Sequence, residues 1–152
     1  MKPVSSSQLY VQENISGCKG VFTRLAITQS SKVLDIAGEI VDRPNRFSLQ
    51  IDETRHLTQS GEIDDFINHA CQPNCRIDFA DLSLVTIRDV GPEEELTINY
   101  CASEYDIAEP FSCHCGSPNC YGVVKGFAFL DDSEKDALEY LLSPYLKRIF
   151  RS

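Results

Sequence analysis

The segment Cys113-His114-Cys115-Gly116-Ser117-Pro118-Asn119-Cys120 carries three thiols around a Gly-Ser-Pro-Asn turn. A tight turn aims successive thiolates at one point, as tetrahedral zinc with Zn–S bonds of about 2.3 Å requires. His114 lies between two of these cysteines and, in an extended segment, points away from their common centre. A closed structural site takes four ligands, so this tail needs one more from elsewhere in the chain. The remaining thiols are Cys18, Cys71, Cys75 and Cys101. The total of seven cysteines is odd. The stretch Met1-Lys2-Pro3-Val4-Ser5-Ser6-Ser7 lacks the apolar run of a signal peptide. An intracellular setting is therefore expected, with thiols or metal ligands rather than a disulfide framework.

The length of 152 residues suits one domain. No apolar run approaches the roughly 20 residues that span a bilayer, so no membrane partner is expected. Short β-type runs recur between turns. Leu9-Tyr10-Val11 reads as a strand, and Val21-Phe22-Thr23 leaves a turn at Gly17–Gly20. Ser31–Val41 reads as short strands bent at Gly38. Phe47, Leu49 and Ile51 alternate with polar residues, the period of a half-buried strand. Ile63–His69 suggests one helical turn, Leu82–Ile87 is β-rich, and Glu95–Tyr100 reads as a strong strand. The end differs: Asp132 or Ser133 can cap a helix whose first turn is acidic, with Leu138, Leu141 and Leu142 on one face. Ser143-Pro144 can cap and restart a second turn carrying Tyr145, Leu146, Ile149 and Phe150. The expected class is mainly β with a C-terminal helix.

Lys plus Arg number 14 and Asp plus Glu 23, a net charge of −9. Such a surface repels nucleic acid, whose binding rests on Lys and Arg at phosphates, and attracts basic partners. A direct nucleic-acid contact is not expected.

Two further segments are undecided alone. Asn68-His69-Ala70-Cys71-Gln72-Pro73-Asn74-Cys75 is either a polar turn before a strand or, through His69 and Cys71, a nucleophilic dyad. The dyad reading is the weaker, since such pairs are usually distant in sequence. Gly91-Pro92-Glu93-Glu94-Glu95-Leu96-Thr97-Ile98-Asn99-Tyr100 is an acidic turn and a strand ending in tyrosine.

Together, in this order, the three segments resemble the SET-domain protein-lysine methyltransferases with a post-SET zinc motif. The family's Asn-His-Ser-Cys-x-Pro-Asn signature is matched by residues Asn68–Asn74, its Gly-Glu-Glu-Leu-Thr-x-Asp-Tyr strand by Glu93–Tyr100, and its Cys-x-Cys-x4-Cys tail by Cys113, Cys115 and Cys120. The likeness covers roughly residues 15–127, and its last two-thirds is the specific part. It implies a fold of small curved β-sheets with a pseudoknot, a zinc-bound tail and a C-terminal helix. The implied division is an N-terminal segment 1–14, a SET domain 15–105, a post-SET zinc segment 106–127 and a helical extension 128–152. It implies that Cys71 joins Cys113, Cys115 and Cys120 around zinc, leaving Cys18, Cys75 and Cys101 as thiols. It implies S-adenosylmethionine as methyl donor, held by Lys19, Gly20, Phe22, Phe66, Asn68, His69 and Phe111. Tyr100 is the implied catalytic residue, orienting the amine of a lysine in a basic protein substrate, with histones among the substrates the resemblance implies. The oligomeric state is left open.

Four positions depart from the family pattern. The Gly-x-Gly of the donor turn reads Cys18-Lys19-Gly20, the Tyr-x-Gly reads Ile36-Ala37-Gly38, Asp65 replaces an arginine, and Asn99 replaces an aspartate. Donor affinity is the property these bear on. In the family the residue two before the catalytic tyrosine lines the amine end of the channel, where a tyrosine can hold a water in place of further methyl groups; the resemblance puts Ile98 there, without a hydroxyl, and so implies dimethylated or trimethylated product. The competing readings are a silent SET-like module that binds a basic peptide or scaffolds a complex, a zinc-ribbon nucleic-acid binder, and a Cys-His hydrolase.

Overall fold

The computed structural model describes residues 4–152; Met1, Lys2 and Pro3, which open the expected N-terminal segment, lie outside the described residues. The strands are β1 (Leu9–Glu13), β2 (Lys19–Thr23), β3 (Lys32–Asp35), β4 (Ile40–Val41), β5 (Leu49–Gln50), β6 (His56–Leu57), β7 (Asn68–His69), β8 (Cys75–Asp78), β9 (Ser83–Thr86), β10 (Glu95–Ile98), β11 (Phe111–Ser112) and β12 (Val123–Val124). Two helices follow, α1 (Asp132–Leu138) and α2 (Pro144–Arg151). Such short strands cannot each bury a face alone, and among the described residues they gather into four small sheets: β1-β2-β10-β7, β3-β9-β8, β4-β6-β5 and β11-β12.

In the first sheet β2 pairs antiparallel with β1 and with β10. On its other edge β10 pairs with β7 in parallel, with Thr97 opposite Asn68 and Ile98 opposite His69. This pairing sets the two motif segments side by side. Val21, Leu84 and Leu96, all fully buried, centre the main core. Leu96 and Ile98 turn inward while Glu95 and Thr97 stay half-buried, the period-two pattern of a strand covered on one face. Gly38 makes the bend between β3 and β4: its φ is 142°, and a Cβ there would overlap the Thr58 carbonyl.

The strand expected to run to Tyr100 ends at Ile98. The Asn99 side chain accepts from the Cys101 N–H at 2.9 Å and starts a 3-10 turn, Tyr100–Ala102. The strand expected at Phe47–Ile51 is also shorter. Asn45 Oδ1 accepts from the Phe47 N–H at 2.8 Å, which holds that stretch in a turn, so only Leu49–Gln50 joins a sheet and Phe47 remains exposed. The expected helical turn is a 3-10 turn over Ile63–Phe66, after which Asn68–His69 is extended.

A second core joins Cys101, Val124 and Phe127 to Leu138, Leu141, Leu142 and Leu146. The cap of α1 is Asp131, one position before the expected Asp132 and two before Ser133, because Glu134 lies three residues on and completes a reciprocal capping box. Ser143 caps α2 with Pro144 in its first turn, as the sequence suggests. The Ser143 N–H donates to the Ala102 carbonyl at 2.8 Å, which ties the C-terminal helices to the turn that carries Tyr100.

Candidate functional site

The ligand sulfurs of Cys71, Cys113, Cys115 and Cys120 lie within 4.8 Å of one another. Four sulfurs about 2.3 Å from a tetrahedral centre stand about 3.8 Å apart, and Cys71 Sγ and Cys113 Sγ are separated by 3.8 Å. This all-sulfur donor set fits zinc. Burial pushes the Cys71 thiol well up and that of Cys113 up to about 11. At Cys115 burial acts the same way, but backbone hydrogen bonds from Cys71 and Ser117 outweigh it and bring the thiol down to about 7. Four crowded thiols ionise together only around a cation. Cys75 and Cys101 are buried, each pushed up to about 12 by that burial, and Cys18 is exposed. None of these three joins the cluster.

His69 connects this cluster to Tyr100. Its Nδ1 accepts from the Tyr100 N–H at 3.0 Å, and its Nε2 lies 3.3 Å from Cys71 Sγ. An accepting Nδ1 leaves the proton on Nε2, which therefore donates to the sulfur. Burial holds His69 down at about 4, so the ring is neutral near pH 7. The Tyr121 N–H donates to the same sulfur at 3.3 Å, and hydrogen bonds of this kind orient metal-bound thiolates. The rings of His69, Tyr100 and Phe111 meet edge to face at centroid distances of 5.4–5.8 Å. Phe111 is held there by the pairing of β11 with β12.

The Tyr100 hydroxyl donates to the Ile67 carbonyl at 2.6 Å. Its proton is thereby committed, and the lone pairs of its oxygen face elsewhere. Burial, helped by the charges of Glu104 and Glu95, pushes this phenol well above its ordinary range, so it stays neutral. Tyr100 forms one wall of a cavity of about 110 Å³ that also meets Ile98, Ile67, Phe47 and Glu104.

Asn68 faces the other side. Its Nδ2 donates to the Lys19 carbonyl at 2.9 Å and to Glu95 Oε2 at 2.8 Å. Glu95 also accepts from Asn14 Nδ2 at 3.2 Å. Gly20 leaves room for this carboxylate, since a Cβ there would overlap the end of the Glu95 side chain and push it aside. Lys19, Gly20 and Asn68 are thus brought together. Phe22 stacks on Tyr10 at 5.7 Å instead of on the His69 group, and Phe66 is 38% exposed on its 3-10 turn. Sequence reasoning missed Glu95 and Glu104 as site residues. Glu95 stood inside a quoted motif, whereas nothing near Glu104 in sequence singles it out.

The SET-domain family model matches residues 18–101. The chain belongs to the SET-domain family. Among relatives of this SET-domain chain, the methyltransferase flvH of Aspergillus flavus is 35% identical over 85 residues, covering 54% of this chain and 46% of that protein. A histone-lysine N-methyltransferase, H3 lysine-36 specific, of Gibberella zeae is 32% identical over 117 residues, covering 62% of this chain and 13% of that one. The SET-domain chain therefore spans less than half the length of these relatives. A solved structure of KRYPTONITE in complex with mCHG DNA and SAH shares the fold, with a TM-score of 0.64, 23% identity, and coverage of 76% of this chain and 28% of that one.

Proposed function

We propose that this chain is a protein-lysine N-methyltransferase that moves a methyl group from S-adenosylmethionine to a lysine side chain of a protein substrate. The observation that carries this reading is Tyr100: a neutral hydroxyl, pinned by donation to Ile67, on the wall of a narrow cavity lined by Ile98. Relatives named as histone-lysine N-methyltransferases, and a fold neighbour solved with SAH, support the reaction class and make histones the first substrate to test.

The acceptor must be a neutral amine. Lysine titrates near 10.4, so stripping its proton at pH 7 costs about 4.6 kcal/mol in water. A desolvating cavity beside a sulfonium lowers that cost, since both burial and like charge oppose the ammonium. The Tyr100 oxygen, its own proton committed to Ile67, accepts an N–H of the amine and aims the nitrogen lone pair along the S–CH3 axis. On the donor side the Lys19-Gly20 backbone, Asn68, His69 and Phe111 form the surface for the adenosyl group, and we keep Phe22 and Phe66 as outer contacts. Zinc on Cys71, Cys113, Cys115 and Cys120 would act as a structural cross-link, holding the tail and Phe111 against His69. The working division remains 1–14, 15–105, 106–127 and 128–152.

The net charge of −9 favours a basic partner and argues against direct DNA contact, although the fold neighbour was solved with DNA. No helix among the described residues is long and apolar enough to cross a membrane, and an intracellular enzyme remains the expectation. The test is tritium transfer from labelled S-adenosylmethionine to purified core histones, with Tyr100→Phe alongside. Binding of the donor without transfer to any lysine would leave the silent-module reading in its place.

A further inference from the structure

Tyr100 and Glu104 lie on one face of a single turn. The Glu104 N–H donates to the Tyr100 carbonyl at 2.9 Å, so the two residues stand at i and i+4. Both line the same cavity. Glu104 Oε2 accepts from the Gln50 N–H at 3.0 Å and from the Ser103 hydroxyl at 2.7 Å. Glu104 Oε1 has no hydrogen-bond partner among the described residues, and no ion pair reaches this carboxyl.

The other acids of the cavity are already engaged. Asp64 accepts from the Ala37 N–H and the Ser60 hydroxyl, and Asp65 accepts from the Ser60 and Gly61 amides. Arg46, a cavity cation, lies over the Phe47 ring at 5.3 Å. Glu104 is half-buried, and its Oε1 is left open on the cavity wall to an entering donor or cation.

We propose, on the lysine-methyltransfer reading, that Glu104 is a second catalytic residue: Oε1 receives the ammonium of the entering lysine and takes its proton, so that the amine meets Tyr100 neutral. One N–H bond breaks with its electron pair left on nitrogen, and an O–H bond forms on Oε1. That nitrogen pair then forms the N–CH3 bond while the S–CH3 pair returns to sulfur. Glu104 releases its proton to solvent through the cavity mouth.

The energetics fit such a transfer. Burial pushes Glu104 up to about 7, against the partial relief from Gln50 and Ser103, while the same cavity lowers the amine. Donor and acceptor approach a match, the condition under which a positioned base is most effective. The ionisable groups facing Glu104 are Tyr100, Arg46, Asp64 and Asp65 on the cavity wall, with His56 behind it, across the β5–β6 pair from Gln50.

Two measurements test this. In the first, n-butylammonium, a lysine side-chain mimic, and 1-butanol are titrated by NMR into the protein with S-adenosylhomocysteine present. The wild type is expected to prefer the cation at least tenfold, with the preference fading as pH falls through about 7. Glu104→Gln should abolish the preference and Glu104→Asp restore part of it. In the second, kcat/KM for core histones should fall about 10²-fold in Glu104→Gln and lose its acidic limb near pH 7. A wild type with no cation preference, or one insensitive to pH, overturns the proposal even if Glu104→Gln fails to fold. An unchanged limb in a folded Glu104→Gln overturns the proton transfer. Cation preference as expected, with no transfer to any lysine, leaves the Glu104 site standing and removes the methyltransferase reading instead.

Discussion

Replacing Tyr100 by Phe removes one oxygen and keeps the ring. The ring contacts with His69 and Phe111 at 5.4 and 5.8 Å survive, as does the Tyr100 N–H to His69 bond, which is backbone. The structural loss is one hydrogen bond, to the Ile67 carbonyl at 2.6 Å. Leaving that acceptor unmet in a buried place costs about 1–2 kcal/mol. For a chain of this size that lowers Tm by roughly 2–8 °C. A domain holding the usual 5–15 kcal/mol then stays more than about 99% folded at assay temperature. The chemical loss is larger. In the proposed mechanism the hydroxyl oxygen fixes the amine lone pair in line, and losing one such fixed contact costs about 10²–10³-fold in rate. The two effects separate cleanly: a circular-dichroism melt reads the first and single-turnover methyl transfer the second. S-adenosylhomocysteine affinity should be nearly unchanged, since the Lys19, Asn68 and Glu95 group contains no Tyr100 atom. A folded variant with turnover within about threefold of wild type would refute the positioning role and make Tyr100 a packing residue.

Elemental analysis should find one zinc per chain, and chelation should raise hydrogen exchange over residues 111–124 before the core around Leu84 and Leu96 opens; a zinc-free native protein would sink the Cys71, Cys113, Cys115 and Cys120 site. Gly20→Ala should force the Glu95 carboxylate aside, break its links to Asn68 and Asn14, and weaken S-adenosylhomocysteine binding about tenfold by calorimetry, with unchanged affinity counting against this donor surface. Exhaustive methylation followed by mass spectrometry should show dimethylated or trimethylated lysine, because Ile98 lines the cavity without a group to hold water; a product that stops at one methyl contradicts this.

Features carried by neighbouring residues were legible in the sequence. The Cys113–Cys120 turn and the Ser143-Pro144 restart both followed from short motifs. Failures came where local chemistry overrode periodicity. The alternation of Phe47, Leu49 and Ile51 is real, but Asn45 bonds the Phe47 amide and holds the stretch in a turn. Asn99, likewise, ends β10 early by capping the next turn. The α1 cap was readable from Asp131 and Glu134 three apart, the spacing of a capping box, which moves the cap one residue ahead of the expected Asp132. Long-range polar partnerships were not readable at all. Glu95 meets Asn14 across 81 positions and Gln50 meets Glu104 across 54, and no local pattern encodes either pairing.

The two nitrogens of His69 explain how a cysteine tail more than ten residues beyond Tyr100 can matter to chemistry at that tyrosine. A neutral imidazole has one donor and one acceptor, and here both are directed. The acceptor Nδ1 fixes the Tyr100 backbone, and the donor Nε2 points at Cys71 Sγ. A metal-bound thiolate is a far better acceptor than a thiol, so loading the cluster strengthens the Nε2 bond and locks the tautomer that Tyr100 needs. With Cys71 protonated, that preference weakens, and the other tautomer would turn an N–H toward the Tyr100 N–H. Two donors cannot share that space, so the turn carrying Tyr100 and Glu104 would have to shift. On the proposed reaction, a zinc-loaded cysteine cluster would act through orientation, by selecting the ring state that keeps the Tyr100 turn in register with Ile67 and the cavity.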